Sequence, residues 1–170
     1  MLPRAADSHR PLLAVDLGSR DALESLDLLQ RGWTVLAITD TERAKRRLLS
    51  EAPSRNIARL TVAVGDFAAL VLPPADLVHS DAALCLRPPP AFGPVWSRVV
   101  PAVRPGGWFV GQFLGDRDSR SLDPALTCLT RRQVITLLNG FRIELLRERE
   151  VSDDHAFDVI ARRRHTRSAS

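Results

Sequence analysis

Residues 12–18 (LLAVDLG) form an apolar run that closes on an acid and a glycine, and residues 20–26 follow at once with apolar positions at helical spacing. A buried strand that passes through a glycine-containing turn into a helix is the opening unit of a nucleotide-binding α/β domain. The glycine matters because backbone approaches a ligand closely only where no side chain intervenes. Here Gly18 stands alone, and most of a glycine-rich turn is missing.

The alternation continues along the chain. Ser19 is placed to cap the first helix and Gly32 to end it. Residues 33–39 (WTVLAIT) predict a second strand, and residues 41–50 a basic helix stopped before Pro53. Residues 59–64 (RLTVAV) predict a third strand and residues 75–79 (ADLVH) a fourth. Phe92, Val95, Trp96, Val99, Val100 and Val103 mark a helical stripe, made irregular by Gly93, Pro94 and Pro101. Pro105-Gly106-Gly107 turns the chain into a fifth strand at 108–114, and Thr130-x-x-Gln133 matches a capping box before another helix. Residues 141–147 and 155–162 are close enough in sequence for an antiparallel hairpin at a sheet edge. The expected fold is α/β and Rossmann-like, a mostly parallel sheet with helices on both faces and a C-terminal antiparallel hairpin.

The 170 residues suit one domain, predicted over 11–163, with a flexible N-terminus at 1–10 and a disordered tail at 164–170. No apolar stretch approaches the roughly 20 residues that cross a bilayer, and residues 1–10 lack a secretory leader's apolar region. A cytoplasmic protein with Cys85 and Cys128 as free thiols is expected. Net charge is only +4, and the arginines interleave with acids rather than with aromatics. A solvated basic face is therefore favoured over a nucleic-acid patch, and no nucleic-acid partner is expected.

Ligands on open α/β sheets bind beyond the carboxyl ends of the strands. Those ends carry Asp16-Leu17-Gly18, Thr39-Asp40, Gly65-Asp66, His79-Ser80-Asp81 and Gly115-Asp116-Arg117-Asp118. His79, with a pKa near neutrality, is the candidate catalytic base, and a histidine with no chemical role is an equal reading. Asp81 is a candidate to orient it or to bind a cation, although a loop or capping acid is the plainer account. His155 is expected at a solvent-exposed hairpin, Cys85 as a small buried hydrophobe, and Trp33, Trp96 and Trp108 in the core. No metal-ligand spacing occurs.

Over residues 12–163 the order of these pieces resembles the class I S-adenosylmethionine-dependent methyltransferases, in particular their small tellurite-resistance-type branch. The resemblance is carried by Asp76-Leu77-Val78, by Val103-Arg104-Pro105-Gly106-Gly107, and by the run from Gly111 through Gly115-Asp116-Arg117-Asp118-Ser119. It implies S-adenosylmethionine as cofactor and a small-molecule substrate. It implies a cofactor site built from Asp16, Gly18 and Ser19 at the first turn, Asp40 at the ribose, Asp66 and Phe67 at the adenine, and His79 beyond the fourth strand.

The chain departs from the family pattern in places. The D-x-G-x-G-x-G turn is shorter by about three residues, and Thr39 stands where the family has its ribose-binding acid. About ten residues precede the first strand, too few for a lid helix, so an open pocket covered by a second copy or another partner is expected. Methyl transfer needs positioning and a base more than covalent help from the protein. The alternatives are an enzyme on this scaffold that has given up the cofactor for a biosynthetic cyclisation or isomerisation, and a non-catalytic partner.

Overall fold

The computed structural model describes residues 10–19, 22–66, 69 and 71–165. Strands β1 (Leu13–Leu17), β2 (Thr34–Thr39), β3 (Leu60–Val64), β4 (Ala75–Asp81), β5 (Val103–Leu114), β6 (Phe141–Val151) and β7 (Asp154–Arg163) form one sheet in the order β3-β2-β1-β4-β5-β7-β6. The first five run parallel; β7 lies antiparallel between β5 and β6. A two-residue turn joins the last two strands, with Ser152 at φ 53°.

Central parallel strands are covered on both faces and therefore read as continuous apolar runs. Along β1, Ala14 packs into one core with Leu28, Leu29, Trp33 and Leu48, while Val15 and Leu17 pack into the other with Trp96, Phe109, Phe113 and Phe157. Helices α1 (Leu23–Gln30) and α2 (Glu42–Glu51) supply the first core; α3 (Pro89–Ala102) and α4 (Arg131–Leu137) supply the second. Trp96 meets Phe109 and Phe113 edge-on, with centroids 5.0 and 5.7 Å away, and its Nε1 donates to Leu137 O at 3.0 Å.

Several local expectations gave way to packing. Helix α3 is continuous through Pro94 and Pro101, because Phe92, Val95, Trp96, Val99 and Ala102 bury one face along its whole length. Ser19 does not cap α1: Ala22 sits at the cap position with φ 64° and no side-chain bond, while Ser19 is drawn inward beside Ser25. Strand β5 begins at Val103, five residues before the expected start at Trp108. The Pro105-Gly106-Gly107 turn is absorbed as a bulge where pairing with β4 shifts from Ala75↔Val103 to Leu77↔Trp108.

Candidate active site

The carboxyl ends of β1 to β5 enclose two neighbouring clefts that meet at Gly18 and Leu86, which line both. The first, about 360 Å³, lies over the ends of β1, β2 and β3 and is bordered by Thr39, Asp40, Gly65, Asp66 and Arg87. The second, about 370 Å³, lies over β1, β4 and β5 and is bordered by Asp16, Ser19, Glu24, His79, Asp81, Gln112 and Arg120. Each volume is at the lower end of the range for small-molecule sites.

The two clefts differ in chemistry. In the first, Asp40 is exposed at the rim, and Asp66 accepts from Arg87 Nη2 at 3.4 Å. The Thr39 hydroxyl is buried with no hydrogen-bond partner among the described residues. A Cβ on Gly65 would meet nothing within 4 Å, so backbone there faces open space. Phe67, the expected adenine-covering ring, lies outside the described residues.

In the second cleft, parallel pairing of β1 with β4 sets Asp16 beside His79. His79 Nδ1 lies 2.9 Å from Asp16 Oδ1, and Ser25 Oγ of α1 donates to Asp16 Oδ2 at 2.6 Å. Ser25 Oγ is itself 3.3 Å from Ser19 Oγ. Asp16 is 2 % exposed and the His79 side chain 12 %, so the carboxylate holds the ring in one orientation. No hydrogen bond to His79 Nε2 exists among the described residues. Burial opposes the charged ring, yet the hydrogen bond and charge of Asp16, with Glu24 and Asp81 behind it, carry the His79 pKa above its ordinary value. Asp81 ends β4 exposed to solvent and lines the same cleft; the orienting contact expected of it is made by Asp16.

The shortened first turn takes a specific course. Gly18 N and Ser19 N both donate to Ile38 O, at 2.9 and 3.1 Å, so these amides point at β2. Gly18 adopts φ 76°, and a Cβ there would overlap the Cβ of Ala83. The glycine is thus required by protein packing at the point where the clefts meet.

Arg120, Ser25, Glu24 and Gln112 were not singled out from sequence. Arg120 Nε and Nη2 grip Asp118 at 2.8 and 3.0 Å, and Arg120 N donates to Asp118 Oδ1 at 3.0 Å. Those bonds hold the Asp118 carboxyl down at about 2, despite its burial. The Gly115-Asp116-Arg117-Asp118 loop is also anchored to the hairpin, where Arg117 Nη2 meets Glu148 and Glu150 at 2.6 and 2.9 Å.

His155 corrects the sequence reading: it is fully buried, because its ring fills the space above Gly115, where any Cβ would collide with it. Its Nδ1 accepts from Arg117 N at 2.9 Å, which leaves the ring proton on Nε2 to face Glu148 at 3.1 Å. Cys85 is buried as expected; desolvation pushes its thiol up to about 12, and its Sγ accepts from Leu114 N at 3.3 Å.

The strand order, the inserted antiparallel β7, the helices on both faces and the clefts at the carboxyl edge together define the class I S-adenosylmethionine-dependent methyltransferase fold. Among solved structures, the chain is similar to an S-adenosylmethionine-dependent methyltransferase from Mesorhizobium loti, at 20% identity and TM-score 0.77 over 95% of this chain and 94% of that one. It is also similar to TehB from Haemophilus influenzae, at 16% identity and TM-score 0.79, covering 94% of this chain and 60% of TehB. A third is the 1,6-didemethyltoxoflavin-N1-methyltransferase of Burkholderia thailandensis, solved with bound 1,6-didemethyltoxoflavin and S-adenosylhomocysteine, at 19% identity and TM-score 0.73 over 92% and 72% of the two chains. No family model and no curated protein matches the sequence. At these identities the likeness establishes the fold, and function has to be argued from the site.

Proposed function

We propose that this protein is a methyltransferase-like enzyme that binds S-adenosylmethionine across the two clefts and acts on a small molecule beside His79. The observation that carries the reading is the pairing of the Asp16-anchored imidazole, its Nε2 without a partner among the described residues, with an adjoining cleft suited to a nucleoside.

The residues of the first cleft fit the nucleoside half. The Thr39 hydroxyl, without a partner among the described residues, and the Asp40 carboxylate suit ribose hydroxyls, Asp66 suits an exocyclic amine, and the open space at Gly65 suits the base. The methionyl end receives no backbone cradle, since the Gly18 and Ser19 amides are bonded to Ile38. Side chains of the second cleft, Arg120 for a carboxylate and Glu24 for an ammonium, take that place. When bound, the cofactor supplies an activated methyl group and a neutral thioether leaving group. His79 Nε2 then accepts the acceptor's proton as the new bond forms, and Asp16 stabilises the imidazolium that results.

Calorimetry with S-adenosylhomocysteine tests this. Saturable binding, weakened by Asp40→Ala, is expected; no heat at millimolar ligand removes the proposal. The bonding of both turn amides to Ile38 favours a second reading, a cofactor-free acid–base enzyme that uses the same His79–Asp16 pair. Under it, His79→Ala abolishes turnover while S-adenosylhomocysteine leaves the protein untouched.

A further inference from the structure

At the end of the sheet away from these clefts, the start of β6 and the end of β7 frame a concavity of about 250 Å³ lined by Arg142, Arg162, Arg163, Arg164 and His165. Charge there is largely uncompensated. Arg142 pairs with Glu144, its Nε donating at 2.6 Å. Among the described residues, Arg162, Arg163 and Arg164 have no carboxylate partner.

Neutral groups nevertheless fix two of these three side chains. Arg162 Nε donates to Gly106 O at 3.0 Å, and its guanidinium lies 5.3 Å from the centre of the Trp108 ring. Arg163 Nη1 donates to Pro101 O at 3.2 Å and to Val103 O, at the carboxyl end of α3. Arg164 is tied in through its backbone, with N donating to Gly140 O at 3.0 Å, while its guanidinium has no partner among the described residues.

Carbonyl and ring contacts position a guanidinium without cancelling its charge. Arg162 lies on the Trp108 face of the sheet and Arg163 on the α3 face, so the guanidinium groups left to this depression are those of Arg162 and Arg164, with Arg142 beside them. Like charges so close repel one another, and an anion of more than one charge relieves that repulsion. Guanidinium forks match the oxygens of a phosphate group in pairs, and several N–H donors here have no partner among the described residues: those of Arg164, and Nη1 and Nη2 of Arg162. We infer that this concavity is a binding site for a compact multivalent oxyanion of the diphosphate kind. A nucleic-acid strand fits less well: the bordering ring, Trp108, is already stacked by Arg162, which leaves no aromatic platform for bases. The site stands apart from His79 and does not depend on the methyl-transfer reading.

Calorimetry of the full chain with inorganic pyrophosphate, at two salt concentrations, tests the inference. One-to-one, salt-weakened binding is expected, together with a rise in Tm on adding the anion. Arg164→Ala is expected to weaken it at least about tenfold, because a charge-assisted contact is lost, with S-adenosylhomocysteine binding unaltered. Should that variant fail to fold, Arg142→Ala supplies the same comparison. No saturable binding in the parent protein, or equal binding in a folded arginine variant, overturns the site.

Discussion

Asp16→Asn keeps the shape of a side chain that is 2 % exposed and removes its charge. The carboxylate accepts from Ser25 Oγ at 2.6 Å and meets His79 Nδ1 at 2.9 Å. A hydrogen bond to an ionised acceptor contributes about 1.5–3 kcal/mol, against about 0.5–1.5 kcal/mol for a neutral one. Two weakened bonds therefore cost roughly 2 kcal/mol, partly offset by no longer burying a carboxylate, for a net loss of roughly 1–2 kcal/mol at pH 6. The pH dependence has a definite sign. Because the folded His79 pKa is raised, the ion pair stabilises fully below the ordinary imidazole value and fades as pH rises through the folded one. Urea unfolding at pH 6 and pH 9 measures this directly, and the gap between parent and variant should narrow at the higher pH. An imidazole titration by NMR should show the His79 pKa falling in Asp16→Asn. Equal stabilities at both pH values, or an unchanged His79 titration, would refute the reasoning.

Other parts of the account are open to equally direct measurement. Gly115→Ala drives a Cβ into the buried His155 ring and should cost about 2 kcal/mol or more, read as a drop in Tm; a neutral result would mean that the ring moves freely. Asp118, held at about 2, contributes stability above the ordinary carboxylate range that is lost as pH falls toward 2. Asp118→Asn should flatten this acid limb by about 1 kcal/mol, a figure that allows for solvent around the half-exposed Arg120. Cys85, with its thiol near 12 and no exposure, should resist alkylation in the native protein and react on unfolding, followed by mass spectrometry.

Sequence periodicity carried the sheet a long way, because strands buried on both faces must be apolar throughout. Residues 33–39 and 41–50 became Thr34–Thr39 and Glu42–Glu51, the latter capped by the Thr41 hydroxyl accepting from Ala44 N. The capping box at Thr130 and Gln133 formed as written. What local reasoning missed was set by tertiary contact. Ser19 looked like a cap, but the turn places Ala22 there and leaves Ser19 beside Ser25.

Asp16 and His79 were both legible as strand-end residues. Their contact was not, because it depends on register between strands 63 residues apart. His155 looked like an exposed hairpin residue because sequence does not report that Gly115, across the β5–β7 pair, leaves a gap for its ring. Arg120 carries no motif of its own, and only the fold of its loop brings it to the second cleft.

A crystal structure grown with saturating S-adenosylhomocysteine is the most direct test of the central claim. The account predicts ribose density against Thr39 and Asp40, and a thioether sulfur in the second cleft facing His79 Nε2. Clefts left empty at saturation, with Gly18 still packed on Ala83 between them, would contradict it.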